Sequence, residues 1–205
     1  MTATSTRLRA DRWFWGGEEP EWIVVALVLV ALLGGGALMA GVRWQTMGVE
    51  VDGITLSYPA EWSAAGAPTS EGADALVSVG GMESRTSLTL GVLRELDPAN
   101  PVSMDALVAQ RGFDRAQREA MYRVLSTAPV ELGGKRGVGV SYAYVVDPQG
   151  TAYQSAVPVV MEGIDYIVPH AGKVYVLTLE APAEGYAEQA GAFDRIVDSV
   201  RFETI

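Results

Sequence analysis

The chain of 205 residues contains no cysteine and a single histidine, His170. Without cysteine it can form no disulfide, no thiolate metal site and no thiol nucleophile, and it has no residue to carry an N-terminal lipid anchor. A Ser-His-Asp triad would have only His170 to use, and no Gly-x-Ser-x-Gly elbow occurs. Positive charge is also scarce. The totals are 15 basic and 25 acidic residues, and no Lys or Arg lies between Arg43 and Arg85. The first 44 residues balance four Arg against four acids, so residues 45–205 carry the entire net charge of −10. Such a domain repels phosphate backbones, which argues against nucleic-acid binding; cations or a basic protein surface suit it better. No internal repeat and no low-complexity tract is present.

What the sequence does have is one uninterrupted apolar run, Trp22 to Val42, without a charged residue. At a rise of about 1.5 Å per residue this run reaches roughly 30 Å, the thickness of a bilayer's hydrocarbon core. It is therefore expected to be a single transmembrane helix in a cell membrane. Arg7, Arg9 and Arg12 precede it and Arg43 alone follows closely, which orients the N-terminus to the cytoplasm and the C-terminal domain outside. Trp13, Phe14, Trp15 and Trp22 would sit at the inner interface and Trp44 at the outer one. The competing reading is a cleaved signal peptide, with Trp22–Leu33 as its apolar region and cleavage after Ala37. Against it, apolar residues resume at Leu38–Val42, and Glu18, Glu19 and Glu21 stand where such a signal is basic. The expected organisation is a cytoplasmic tail (1–21), a transmembrane helix (22–42), a juxtamembrane link (43–47) and an extracytoplasmic domain (48–205).

Within the span, Gly34, Ala37 and Gly41 share one face, and Gly36 and Ala40 form a small-x-x-x-small pair. Small residues let transmembrane backbones approach closely, so these five positions are the candidate helix-packing site for a partner in an integral membrane complex.

In the domain, Ile54–Tyr58 reads as a strand ended by Pro59, and Leu76–Val79 and Ser87–Leu93 read as two more across Gly80-Gly81. Ser103 is placed to cap a helix with Met104, Leu107 and Val108 on its apolar face; Gly112 should interrupt it, and a second stretch should run to about Tyr122. Strands are expected at Val138–Val145, Tyr153–Met161, Ile164–Val168 and Val174–Leu179, forming an antiparallel meander. Tyr186, Ala190, Phe193, Val197 and Val200, with Ile196 beside them, make one stripe of an amphipathic helix that must pack on the sheet. Helices at two places and a long antiparallel sheet give an α+β layer arrangement.

Ile54-Thr-Leu-Ser-Tyr58-Pro59-Ala60-Glu61-Trp62 resembles the opening of the PsbP-like family, a strand followed by Tyr-Pro, two residues and Trp. Gly172–Leu179, then Ala181-Pro182, then Phe193–Phe202 resemble its ending, and the similarity covers roughly residues 48–205. The resemblance implies an α/β/α sandwich with a central antiparallel sheet. The family includes the extrinsic lumenal subunit of photosystem II and exported bacterial proteins that act as assembly or interaction modules. The chain departs from the plant subunit by its membrane helix and from many bacterial members by lacking a lipidated Cys, so a photosystem role does not follow.

Candidate chemistry is thin. His170, with Asp165 and Glu162 in the same stretch, could be imagined as a cation site, but a solvated turn histidine is the expected state. Gly133-Gly134-Lys135-Arg136-Gly137 lacks the Gly-Lys-Ser/Thr ending of a phosphate loop and precedes a strand, so it reads as a hairpin turn. Trp62 and Tyr58 read as core anchors. Val138, Val140, Tyr142 and Tyr144 alternate with Gly139, Ser141 and Ala143, which would let a helix lie on the small side. The acidic residues look scattered over solvent faces, so no general acid or base is nominated. The expectation is a non-enzymatic accessory or assembly subunit of a membrane complex, without cofactor or metal. The alternative is a stand-alone binding module for a small ligand, cation or peptide.

Overall fold

The computed structural model describes residues 21–43, 45–64, 74–81, 84–146 and 157–203. The chain divides into two units, Met1–Trp44 and Gln45–Ile205. In the first, helix α1 (Glu21–Arg43) is continuous over 23 residues, through Gly34-Gly35-Gly36. Its side chains are described for residues 22–35, and Trp22, Leu27, Val30 and Leu33 are each more than 60 % exposed. Among the described residues, which for the side chains of α1 are 22–35, no helix is long and apolar enough to cross a membrane.

The second unit is a mixed α+β fold built on a large antiparallel sheet. Strands β1 (Thr46–Val51) and β2 (Ile54–Pro59) form a hairpin through Asp52 and Gly53, both at positive φ, and β9 (Arg201–Phe202) adds to β2. Strands β3 (Asp74–Gly81), β4 (Thr86–Glu95), β5 (Ala120–Leu132), β6 (Lys135–Val146), β7 (Val159–His170) and β8 (Lys173–Pro182) make a six-stranded sheet in the order β3-β4-β8-β7-β6-β5. Helix α2 (Met104–Arg118) follows β4, and α3 (Tyr186–Ser199) follows β8.

Alternation along the central strands separates two cores. Tyr175, Leu177 and Leu179 of β8 join Leu88 and Leu90 of β4, Ile54 and Leu56 of β2, Trp62, and Phe193, Ile196 and Val200 from α3 and its end. The other face, Val174 and Val176 of β8, Ile167 of β7 and Val140 of β6, packs against Leu107 of α2. The stripe expected for the last helix is thus seated as the sequence suggested, and Trp62 is a core residue.

Four expectations are corrected. Gly112 does not interrupt α2, because a single glycine costs only about 1 kcal/mol and the helix is held by the buried Leu107, Arg111 and Arg115. The stretch expected to be helical up to Tyr122 instead turns extended at Glu119 and enters β5. That strand was hidden because it is an exposed edge strand with two register shifts and Pro129, which erase any period-two pattern. β7 is one strand where two were expected, with Glu162 and Gly163 in its middle paired to Ala181 and Glu180; Tyr153–Ala156 lie outside the described residues. Finally, α2 lies on the bulky side of β6, over Val140, rather than on the side of Gly139 and Ser141.

Candidate functional site

The register brings a set of polar side chains into line beneath α2. Ser87, Glu180, Gly163 and Tyr142 form one cross-strand row over β4, β8, β7 and β6; Thr89, Thr178, Asp165 and Val140 form the next. Tyr142, Asp165, Thr178 and Glu180 are all buried. Gly163 makes the first row possible. A Cβ there would stand 2.6 Å from the Tyr142 ring, so only glycine lets the ring lie across β7 and place its hydroxyl 2.7 Å from Glu180 Oε1.

Helix α2 sets two arginines one turn apart onto these rows. Arg115 grips Asp165 with Nε at 3.2 Å and Nη2 at 3.1 Å, while its Nη1 donates to Glu180 at 3.1 Å and to Glu119 one turn further on. Its guanidinium carbon lies 4.2 Å from the centre of the Tyr142 ring, a cation–π contact. Arg111 Nε donates to Asp165 at 3.0 Å, and Thr178 Oγ1 donates to the other Asp165 oxygen at 2.7 Å. The two-pronged grip uses the geometry peculiar to Arg.

Burial sets the charge states. It pushes the Asp165 carboxyl up, but Arg115, Arg111 and the Thr178 hydroxyl outweigh it and hold Asp165 below the ordinary carboxylate value. For Arg115 burial alone would favour loss of the proton, and the carboxylates of Asp165, Glu180 and Glu119 reverse that, leaving it firmly cationic. Burial raises Tyr142 and Tyr144, and raises Tyr122 to about 12. Burial also dominates at Glu119, whose carboxyl is raised despite Arg115 beside it, and whose Oε2 is buried with no hydrogen-bond partner among the described residues.

Acid–base catalysis needs groups poised near the working pH and open to substrate. Here Asp165 and Arg115 are held charged and spend their hydrogen bonds on one another and on Arg111, Thr178, Glu180 and Glu119. The arrangement can clamp α2 to β6, β7 and β8. Sequence reasoning had placed these acids on solvent faces. The available signal was positional: Arg111 and Arg115 continue the Leu107 stripe, and Asp165 shares its face of β7 with Ile167.

The residues singled out from the sequence fall elsewhere. His170 faces away from Asp165, with its ring 4.9 Å from Phe202 and 6.4 Å from Tyr175, so the imagined His170–Asp165–Glu162 grouping is not formed. No cluster of metal-ligating side chains occurs among the described residues. Gly133 and Gly134 are the β5–β6 turn, both at positive φ. A Cβ on Gly34 would meet nothing within 4 Å. Gly36, Ala37, Ala40 and Gly41 lie in α1, but their surroundings, like Trp44 and the N-terminal tail, fall outside the described residues. Among the described residues lie an open cleft of about 420 Å³ lined by Asp52, Leu76, Val92, Arg94 and Lys173, and another of about 220 Å³ beside Arg111 and Asp114.

No family model and no curated protein matches the chain. Solved structures do. It is similar to the cyanobacterial PsbP of Synechocystis, at 15 % identity over 78 % of this chain and 92 % of that one, with a TM-score of 0.47. It is similar to LpqN of Mycobacterium tuberculosis, described as involved in cell envelope biogenesis, at 16 % identity over 78 % and 91 %, TM-score 0.47. It is similar also to the Saccharomyces cerevisiae Ran-binding protein Mog1p, at 11 % identity over 77 % and 95 %, TM-score 0.48. A PsbP thus stands among its structural neighbours, the family that the sequence motifs resemble.

Proposed function

We propose that the chain is a single-pass membrane-anchored accessory subunit, non-enzymatic, whose acidic domain docks a protein partner on the extracytoplasmic face of a membrane complex. The observation that carries this reading is the uncharged run Trp22–Val42, which is helical throughout and precedes the domain. A helix that is apolar on every side needs either a protein core or lipid around it. Three adjacent glycines would weaken such a helix in water, whereas in hydrocarbon an unbonded backbone is costlier than an uninterrupted helix. The basic N-terminal flank gives the orientation. The closed character of the ionic clamp supports a binding role over a catalytic one. A second reading, a stand-alone binding module, is favoured by the 420 Å³ cleft between Asp52, Arg94 and Lys173.

Extraction of native membranes in mild detergent followed by sizing separates the two, since an accessory subunit migrates with a large assembly and a lone receptor does not. Changing Gly34 and Gly41 together to Leu keeps the run apolar, so the variant should insert and fold yet leave the complex. Full retention of the double variant in the complex would move the contact to the domain. Release of the chain by alkaline carbonate would refute the anchor itself.

A further inference from the structure

The two arginines of α2 hold Asp165 in the same way, and their outer nitrogens end differently. Arg115 spends Nε and Nη2 on Asp165, and its Nη1 meets two carboxylates, Glu180 and Glu119. Arg111 presents Nε to Asp165 at 3.0 Å and brings Nη2 to 3.5 Å from Thr178 Oγ1, while its Nη1 meets no acceptor among the described residues. Nor is that nitrogen sealed in, because the fully enclosed side-chain atom left without a partner is Glu119 Oε2. Arg111 is only 9 % exposed, and it lines the cleft of about 220 Å³ between β4 and α2. Its unused donor therefore opens on that cleft.

The facing wall belongs to β4. Thr89 and Gly91 pair with Thr178 and Val176 on the α2 side, so alternation brings Leu93 to that side, against the core around Leu107, and would turn Arg94 to the other face. A bulge prevents this. The register shifts between Val92 and Arg94, which leaves Leu93 without a partner and sets Arg94 opposite Val174, itself a residue of the α2-side core. Directly opposed residues share a face, so Arg94 arrives on the α2 side next to Leu93. The cleft is thus lined by two arginines, by Leu93 and Leu107, and by Gln110 and Asp114 of the helix. Its lining has one cation in excess, in a chain whose net charge is −10.

We propose that this cleft binds a small monocarboxylate, its oxygens taking Arg111 Nη1 and the Arg94 guanidinium and its short aliphatic part lying on Leu93 and Leu107. The bound carboxylate does for Arg111 what Glu180 and Glu119 do for Arg115. Guanidinium donors match carboxylate geometry, and hydrogen bonds between ionised partners are the strong ones. The volume is below that of pockets that enclose drug-sized ligands, which limits the acid to a short chain. Asp114 repels a multiply charged anion, so phosphate fits less well. No residue of α1 takes part, and the site stands or falls apart from the anchor.

The test follows the Nε–H signals of Arg94 and Arg111 by magnetic resonance in the full chain, carrying isotopically labelled arginine, in mild detergent at constant ionic strength. Sodium isobutyrate should shift both saturably, and its neutral isostere isobutyramide should leave them in place. Arg94 is exposed and outside the clamp, so Arg94→Ala should keep the fold, read from an unmoved Arg115 signal, and should weaken isobutyrate binding at least about tenfold, as loss of a hydrogen bond between charged groups requires. Asp114→Asn should tighten binding and narrow the margin over inorganic phosphate. Lys173→Ala, in the larger cleft, should change nothing. Absence of a saturable shift, equal shifts with isobutyramide, or full affinity in Arg94→Ala would overturn the proposal. Phosphate binding more tightly than isobutyrate would overturn the ligand class, and loss of binding in Lys173→Ala would overturn the location.

Discussion

Replacing Asp165 by Asn keeps the shape of a fully buried side chain and removes its charge. Asp165 accepts from Arg111 Nε, from Arg115 Nε and Nη2 and from Thr178 Oγ1, all at 2.7–3.2 Å. The variant leaves two buried guanidinium groups facing an amide, one half of which is itself a donor. Removing one partner of a buried ion pair costs roughly 3–5 kcal/mol; Glu180 and Glu119 still face Arg115, so the low end, about 3 kcal/mol, is expected. For a domain of this length each kcal/mol moves the melting temperature by roughly 2–4 °C, a fall of about 6–12 °C in thermal melts of the full chain in mild detergent. The pH dependence has a definite sign. The folded Asp165 carboxyl is held below its ordinary value, so its contribution is complete above the unfolded value of about 3.9 and is lost as pH falls through the folded one. Wild type and variant should therefore differ most near neutral pH and converge in acid. Glu119→Gln, which touches the same Arg115, should cost less at pH 7, because burial already disfavours the Glu119 charge. A cost below about 1 kcal/mol for Asp165→Asn, or a difference that persists unchanged in strong acid, would refute the clamp.

Phe193→Ala empties a position 4 % exposed between α3 and the sheet and should cost about 3–5 kcal/mol in denaturant melts; a loss under about 1 kcal/mol would mean that α3 packs elsewhere. Gly163→Ala adds one methyl group where the Tyr142 ring lies, and should cost about 1–3 kcal/mol. Restoration of stability by Gly163→Ala combined with Tyr142→Ala would locate the clash at that ring, and an additive pair would show that it lies elsewhere.

The β2 strand, the β3–β4 pair, β8 and the α3 stripe were legible in the sequence because each buries one regular face, and regular burial leaves a period. The glycines at 133 and 134 were legible as a turn because positive φ selects that residue. Where local pattern and tertiary demand diverged, the reading failed. Gly112 looked like a helix break but lies in a helix fixed from its other side, and β5 carries no alternation because an edge strand with bulges buries almost nothing.

The sequence by itself determined an apolar segment of bilayer length and an acidic, cysteine-free domain after it, since length, charge and composition are sums over residues that need no neighbours. It also determined the alternation that sorts two cores onto the two faces of one sheet. Only the tertiary structure decided that Arg111, Arg115, Asp165 and Glu180 meet, because residues up to 65 positions apart are brought together by register, and register is a property of paired strands. It likewise decided that His170 turns away from Asp165, its ring set against Phe202 and Tyr175 instead.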